Sequence, residues 1–135
     1  DTLRLEAAMP LYGHELNDEL TPLEADLEWA IDLTKEFPGS SVLKAQKTAG
    51  LRKKRVGFEM TERGIPRQGF EIQKDGKTIG AVTSGSFIPT TGKNIGMAYV
   101  TAAEARNGNG IDVMVRGKPV KAVLVSLPCY KRSPC

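Results

Sequence analysis

From Leu51 onward the chain is a succession of short apolar-alternating runs separated by turn signals, and this spacing restricts the fold more than any other feature. Val56, Phe58 and Met60 alternate with Arg55, Glu59 and Thr61, which gives a strand with one buried face that Gly64 and Pro66 end. Phe70 and Ile72 lead into Asp75-Gly76, a two-residue hairpin signal, because a type I′ turn needs positive φ at both central positions. Ile79 to Thr83 is the return strand. Ile95 to Val100, Ile111 to Val115 and Val120 to Val125 supply three more, with turns at Asn107 to Gly110 and at Gly117-Lys118. Six short strands at hairpin spacing predict a mainly β fold, an antiparallel Greek-key-like β-barrel over residues 50–135.

Residues 1–49 follow different rules and are expected to form a partial α+β segment. Leu3 and Leu5 alternate with Arg4 and Glu6, the period of a half-buried strand on which Arg4 and Glu6 point the same way. Thr21-Pro22-Leu23-Glu24 has the residues of a capping box and should begin a short helix. Leu27 to Leu33, which contains the sole tryptophan, Trp29, reads as a strand. Ser40 or Ser41 could cap a helix running through Lys47, terminated by Gly50. No complete core is visible in this stretch. With no initiator Met before Asp1, the chain is expected to be processed or cut from something longer.

The net charge of +3 conceals a split. Residues 1–49 carry four Lys/Arg against ten Asp/Glu, whereas the remainder carries fifteen against six. This implies either two units with different surroundings, the basic one attracting anions, or opposite charges that neutralise each other across an interface. Arg52, Lys53, Lys54 and Arg55 concentrate the positive charge, with Lys131 and Arg132 near the C-terminus. Such a run reads as a solvated strand edge, or as a surface for nucleic acid. Against the latter, Phe58, Phe70 and Phe87 all look like core by their alternation, so nucleic acid is not the expected partner. No apolar run approaches the roughly 18 residues of a membrane span, and no secretory signal is visible, so no membrane role is expected.

Familiar catalytic patterns fail one by one. Gly85 to Asn94 lacks the first glycine and the final hydroxyl of a phosphate-binding loop and reads as a strand-connecting loop. His14 belongs to no metal-ligand spacing. Ser84 and Ser86 sit in no nucleophile elbow and have no candidate base nearby. Cys129 and Cys135 lack the spacing of a zinc site and read as free thiols. No metal is expected.

Several long blocks, however, occur together and in order: DTLRLEAAMPLYGHEL at Asp1–Leu16, TPLEADLEWAI at Thr21–Ile31, MTERGIPRQGFEI at Met60–Ile72, VTSGSFIPTTGKNIGMAYV at Val82–Val100 and LPCYKR at Leu127–Arg132. Over essentially its whole length the chain resembles the C-terminal part of the glycine cleavage T-proteins, the aminomethyltransferases; folate-dependent dehydrogenases and oxidases of sarcosine and dimethylglycine share the module. The resemblance implies a tetrahydrofolate enzyme that takes the aminomethyl group from the lipoyl arm of the H-protein, releases ammonia and forms 5,10-methylenetetrahydrofolate. It implies that residues 1–49 are the tail of the preceding α+β folate-binding domain and that residues 50–135 are the C-terminal barrel. The catalytic Asp of the family would lie upstream, in the N-terminal part of the parent chain, which is then a partner of this fragment; the fragment alone is expected to be inactive. Arg4 matches a folate-contacting arginine of the family, and a guanidinium suits that role because it is planar and permanently charged. The alternative for Arg4 is a salt bridge to Glu6 or another local acid. Tyr130 and, more weakly, Arg132 match positions near the folate, although Tyr130 equally suits a half-buried core tyrosine. The bacterial cytoplasm or the mitochondrial matrix is the implied location. A basic β-barrel docking an acidic protein or nucleic acid is the other reading. Departures from the family are Ala8 and Glu28, where Gly is usual, and the stretch Phe37 to Leu43.

Overall fold

A computed structural model describes residues 1–128, so Tyr130, Arg132, Cys129 and Cys135 lie outside the described residues. Six strands, β1 (Lys53–Met60), β2 (Glu71–Lys74), β3 (Lys77–Ile88), β4 (Lys93–Thr101), β5 (Gly110–Val115) and β6 (Lys118–Val125), close into an antiparallel barrel. The strand order is β1-β4-β3-β2-β5-β6, with β6 paired back onto β1. Connection 61–70 carries the chain from β1 across to β2, and β1 itself lies beside β4, so the path is that of a Greek key. Asp75 (φ 51°) and Gly76 (φ 79°) make the expected turn between β2 and β3. The second such turn uses Arg116 (φ 52°) and Gly117 (φ 80°), one residue earlier than expected, so Lys118 already opens β6.

Each strand sends a side chain into the interior: Phe58, Ile72, Val82, Val100, Val113 and Leu124 are all nearly or fully buried. β4 is buried on both faces, because Ile95, Met97 and Tyr99 point outward and are also covered. What covers Ile95 and Met97 is α1 (Thr2–Glu6), whose Leu5 packs on them together with Ile88. The chain before the barrel therefore closes a second, external apolar cluster.

Residues 1–49 differ from the α+β expectation. Leu3 to Ala7 is not a strand: the Leu5 amide donates to the Asp1 carbonyl at 3.0 Å and the run forms a helical turn. Leu5 is buried while Leu3 is 79% exposed, so the two do not share a face, and neither do Arg4 and Glu6. Four alternating residues are too few to separate a strand from a helix. Thr21 does accept the Glu24 amide at 3.3 Å, but the turn ends at once because Asp26 adopts φ 59°. Leu27 to Leu33 forms a 3-10 turn over Glu28–Ala30, with Trp29 83% exposed, in place of a strand. α2 (Ser40–Ala49) forms as expected, ending at Gly50 with φ 89°.

One irregularity in β3 shapes the surroundings of Ser84. Val82 pairs with Ala98, but the next pair is Ser84 with Met97, which leaves Thr83 as an extra residue. Beyond the bulge the parity inverts: Ser84 emerges on the outer face beside Met97 and Ile88 enters the external cluster, while Phe87, paired with Asn94 near the end of β3, is 46% exposed. Phe87 is thus not core, and Gly85 to Ile88 is strand instead of loop.

Candidate functional site

The outer face of β1, β4 and β3 carries the seam with residues 1–49, and opposite charges meet there. Lys53 lies 4.0 Å from Glu24 and Lys54 3.6 Å from Asp26. Arg55, expected at a solvated edge, is instead buried. Its Nε donates to the Ala25 carbonyl at 2.7 Å and its Nη1 to the Ala8 carbonyl at 2.8 Å, so one guanidinium holds two separate loops on the barrel. Burial pushes Arg55 below the usual arginine value, and the charges of its surroundings act the other way. Three cations of the run thus face this chain's own acidic segment or lie within the seam, which is the interface alternative for the charge split. Ala8 sits at φ 58°, a conformation that glycine adopts without cost and that costs alanine about 1 kcal/mol, and this gives the departure at position 8 a physical meaning.

Next to this seam three distant segments converge. The loop Leu11 to Leu16 closes on Glu15: the Glu15 amide donates to the Leu11 carbonyl at 2.9 Å, while the Leu11 amide donates to Glu15 Oε2 at 2.9 Å. Glu15 is 0% exposed. A buried carboxylate requires donors and a counter-charge, and it has both. Ser84 Oγ donates to its Oε1 at 2.5 Å, and Arg4 Nη1 approaches its Oε2 at 3.3 Å. The Tyr99 hydroxyl donates to the Glu15 carbonyl at 2.8 Å, and burial pushes that phenol up from the ordinary 10.0 to about 12. His14 Nδ1 lies 2.9 Å from the carbonyl of the bulged Thr83, and because a carbonyl only accepts, that ring nitrogen carries the proton. The bulge is therefore braced from outside while it turns Ser84 toward Glu15 and Arg4.

Arg4 itself makes a full set of contacts. Besides Glu15, Nη1 donates to the Met9 carbonyl at 2.8 Å, and Nη2 donates to Ser84 Oγ at 3.1 Å. Nε and Nη2 both donate to Asp1 Oδ1, at 3.0 and 2.7 Å. Among the described residues the acids it meets are Asp1 and Glu15; Glu6 instead accepts from Thr90 Oγ1 at 2.7 Å. The two ends of this guanidinium differ in character. The inner nitrogen is fixed by the buried Glu15 and the Met9 carbonyl, whereas the Nε/Nη2 edge, the fork that suits two adjacent acceptor oxygens, meets, of carboxylate oxygens among the described residues, one oxygen of the exposed Asp1.

Ser84 does have a carboxylate at hydrogen-bond distance, contrary to expectation. Glu15 precedes it by 69 positions, and no local motif signals the pair. Ser84 is nevertheless buried, and its oxygen is occupied between Glu15 and Arg4.

Comparison with known proteins completes the description. The family described as "Glycine cleavage T-protein C-terminal barrel domain" matches residues 53–131. An aminomethyltransferase of Alkaliphilus metalliredigens is 52% identical over 135 residues, covering 98% of this chain and 37% of that protein. One from Bacillus subtilis is 48% identical over 134 residues, with 98% and 37% coverage. The crystal structure of glycine cleavage system aminomethyltransferase T from Bartonella henselae superposes with a TM-score of 0.89 at 32% identity, over 95% of this chain and 37% of that one. The chain thus spans little more than a third of the relatives it matches. A closed six-stranded antiparallel barrel with this sequence match places the chain in the glycine cleavage T-protein family, as its C-terminal barrel region with the segment leading into it.

Proposed function

We propose that this chain is the C-terminal part of a tetrahydrofolate-dependent aminomethyltransferase of the glycine cleavage system. Such an enzyme transfers the aminomethyl-derived one-carbon unit from the lipoyl arm of the H-protein to tetrahydrofolate and releases ammonia. Residues 1–49 then belong to the domain preceding the barrel, and the catalytic acid lies upstream in the parent chain. Tetrahydrofolate, when bound, supplies the amine that accepts the one-carbon unit. This chain's residues contribute binding: Arg4 offers its Nε/Nη2 edge to acceptor oxygens of the folate, and Tyr130 and Arg132 are further candidate folate contacts by the family resemblance.

The observation that carries this reading is the asymmetry of Arg4, anchored inside by Glu15, Ser84 and Met9 and engaged outside by one oxygen of an exposed carboxylate. A ligand presenting two oxygens can replace Asp1 without disturbing the inner anchors. Apolar exposure supports the same reading. Leu3, Met9, Leu11 and Tyr12 are exposed within the first twelve residues, apolar surface that further protein of the parent chain can cover.

The test is isothermal titration of the full-length enzyme with tetrahydrofolate, comparing wild type with Arg4→Lys. Lysine keeps a positive charge beside Glu15 but cannot form the fork. Losing a charge-assisted bond of about 1.5–3 kcal/mol weakens binding about tenfold or more, with little change in melting temperature. Unchanged affinity would remove Arg4 from the folate site.

A further inference from the structure

We propose that Glu15 and Ser84 are positioning residues for Arg4, and that the Thr83 bulge exists to complete their ring. The proposal rests on the folate reading of Arg4 and deepens it. Three contacts form a closed cycle: Arg4 Nη1 donates to Glu15 Oε2, Ser84 Oγ donates to Glu15 Oε1, and Arg4 Nη2 donates to Ser84 Oγ. Its members come from α1, the Leu11–Leu16 loop and β3, segments that only the folded barrel brings together.

Each link has a physical consequence. Glu15 is fully buried, so its carboxylate cannot exchange partners with water, and its position is set by the Leu11 amide and the Ser84 hydroxyl. Arg4 is attached to that fixed acid and to the Met9 carbonyl at the same nitrogen, which sets the plane of the guanidinium. Ser84 then sets the second nitrogen and leaves only one direction for the remaining Nε–H and Nη2–H bonds, outward to Asp1. A long, flexible side chain is thereby ordered before any ligand arrives, and its ordering is no longer charged against binding. Uninterrupted alternation would turn Ser84 into the barrel; the extra residue at Thr83 alone brings its hydroxyl out to Arg4. The ligand chemistry that fits the presented edge is a planar pair of adjacent acceptor oxygens, or an oxygen beside a ring nitrogen, as on a carboxylate or a pterin.

A double-mutant cycle in the full-length enzyme distinguishes positioning from mere support of the fold. Tetrahydrofolate affinity and melting temperature are measured for wild type, Ser84→Ala, Arg4→Lys and the double variant. Positioning predicts that Ser84→Ala weakens binding about three- to tenfold when Arg4 is present, and less than twofold in the Arg4→Lys background, where there is no fork left to aim. Glu15→Gln, which keeps the shape of the side chain and removes its charge, should follow the same pattern. An equal loss in both backgrounds, or no loss when Arg4 is present, overturns the positioning role while leaving the Arg4 contact standing. If Arg4→Lys alone leaves affinity unchanged, the folate contact falls and the positioning role falls with it.

Discussion

Gly80→Ala is expected to destabilise the chain by about 3 kcal/mol, the upper end of the usual overpacking cost. β3 and β4 approach so closely at this point that a Cβ on Gly80 would lie 1.8 Å from the Tyr99 carbonyl oxygen and 2.9 Å from the Val100 Cα. Both are backbone atoms of the strand that is buried on its two faces, so no side-chain rotation relieves the clash and the β3–β4 pair must separate. A substitution of the same chemistry elsewhere serves as the control. Among the described residues Gly110 has nothing within 4 Å of its Cβ position, and it has no positive φ, so Gly110→Ala should stay within about 0.5 kcal/mol of wild type. Urea denaturation of both variants checks the pair; an equal, small effect at Gly80 would mean that β3 and β4 are spaced differently.

The second large effect is expected at Arg55. Arg55→Ala removes two charge-assisted hydrogen bonds and leaves the Ala25 and Ala8 carbonyls without those donors, at a cost of about 3 kcal/mol. Arg55→Met should cost less, because it fills the same space and also removes the penalty of burying a guanidinium. The damage from Arg55→Ala should be spatially specific: hydrogen exchange should accelerate in residues 8–26, which the guanidinium holds, before it does in β5 and β6. Uniform acceleration across the barrel would contradict the view that Arg55 fastens the preceding segment.

Arg55 also shows where reading the residues in order stops. The strands were legible because alternation, positive-φ turn pairs and a terminal glycine are local: Val56, Phe58 and Met60, the Asp75-Gly76 turn and the 40–49 helix all appear as those rules require. The Phe87 position failed for an equally specific reason. It pairs with Asn94 one residue before β3 ends, so although its parity is inward it lies at the barrel's edge, and alternation carries no signal for where the packed interior stops. α1 was obscured by its brevity, since four residues fit either period, and the i,i+3 pairing of Asp1 with Arg4 was its one helical clue. A buried arginine within a cationic run is indistinguishable from its exposed neighbours; the excess of acids before Gly50 was the indication that the run faces inward, toward its own chain. Arg4 was singled out by the family resemblance, but its contacts with Glu15 and Ser84 were not, because they span 11, 69 and 80 positions and no motif crosses such distances.

The role proposed for Arg4 would tie the fold to the chemistry, and one structure tests it most directly: a crystal structure of the full-length enzyme with tetrahydrofolate bound. The account predicts that Asp1 has left the Nε/Nη2 edge and that an acceptor atom of the folate lies within about 3 Å of both nitrogens, with the Glu15–Ser84 ring unchanged. A folate bound elsewhere, with the Asp1–Arg4 pair intact, would contradict it.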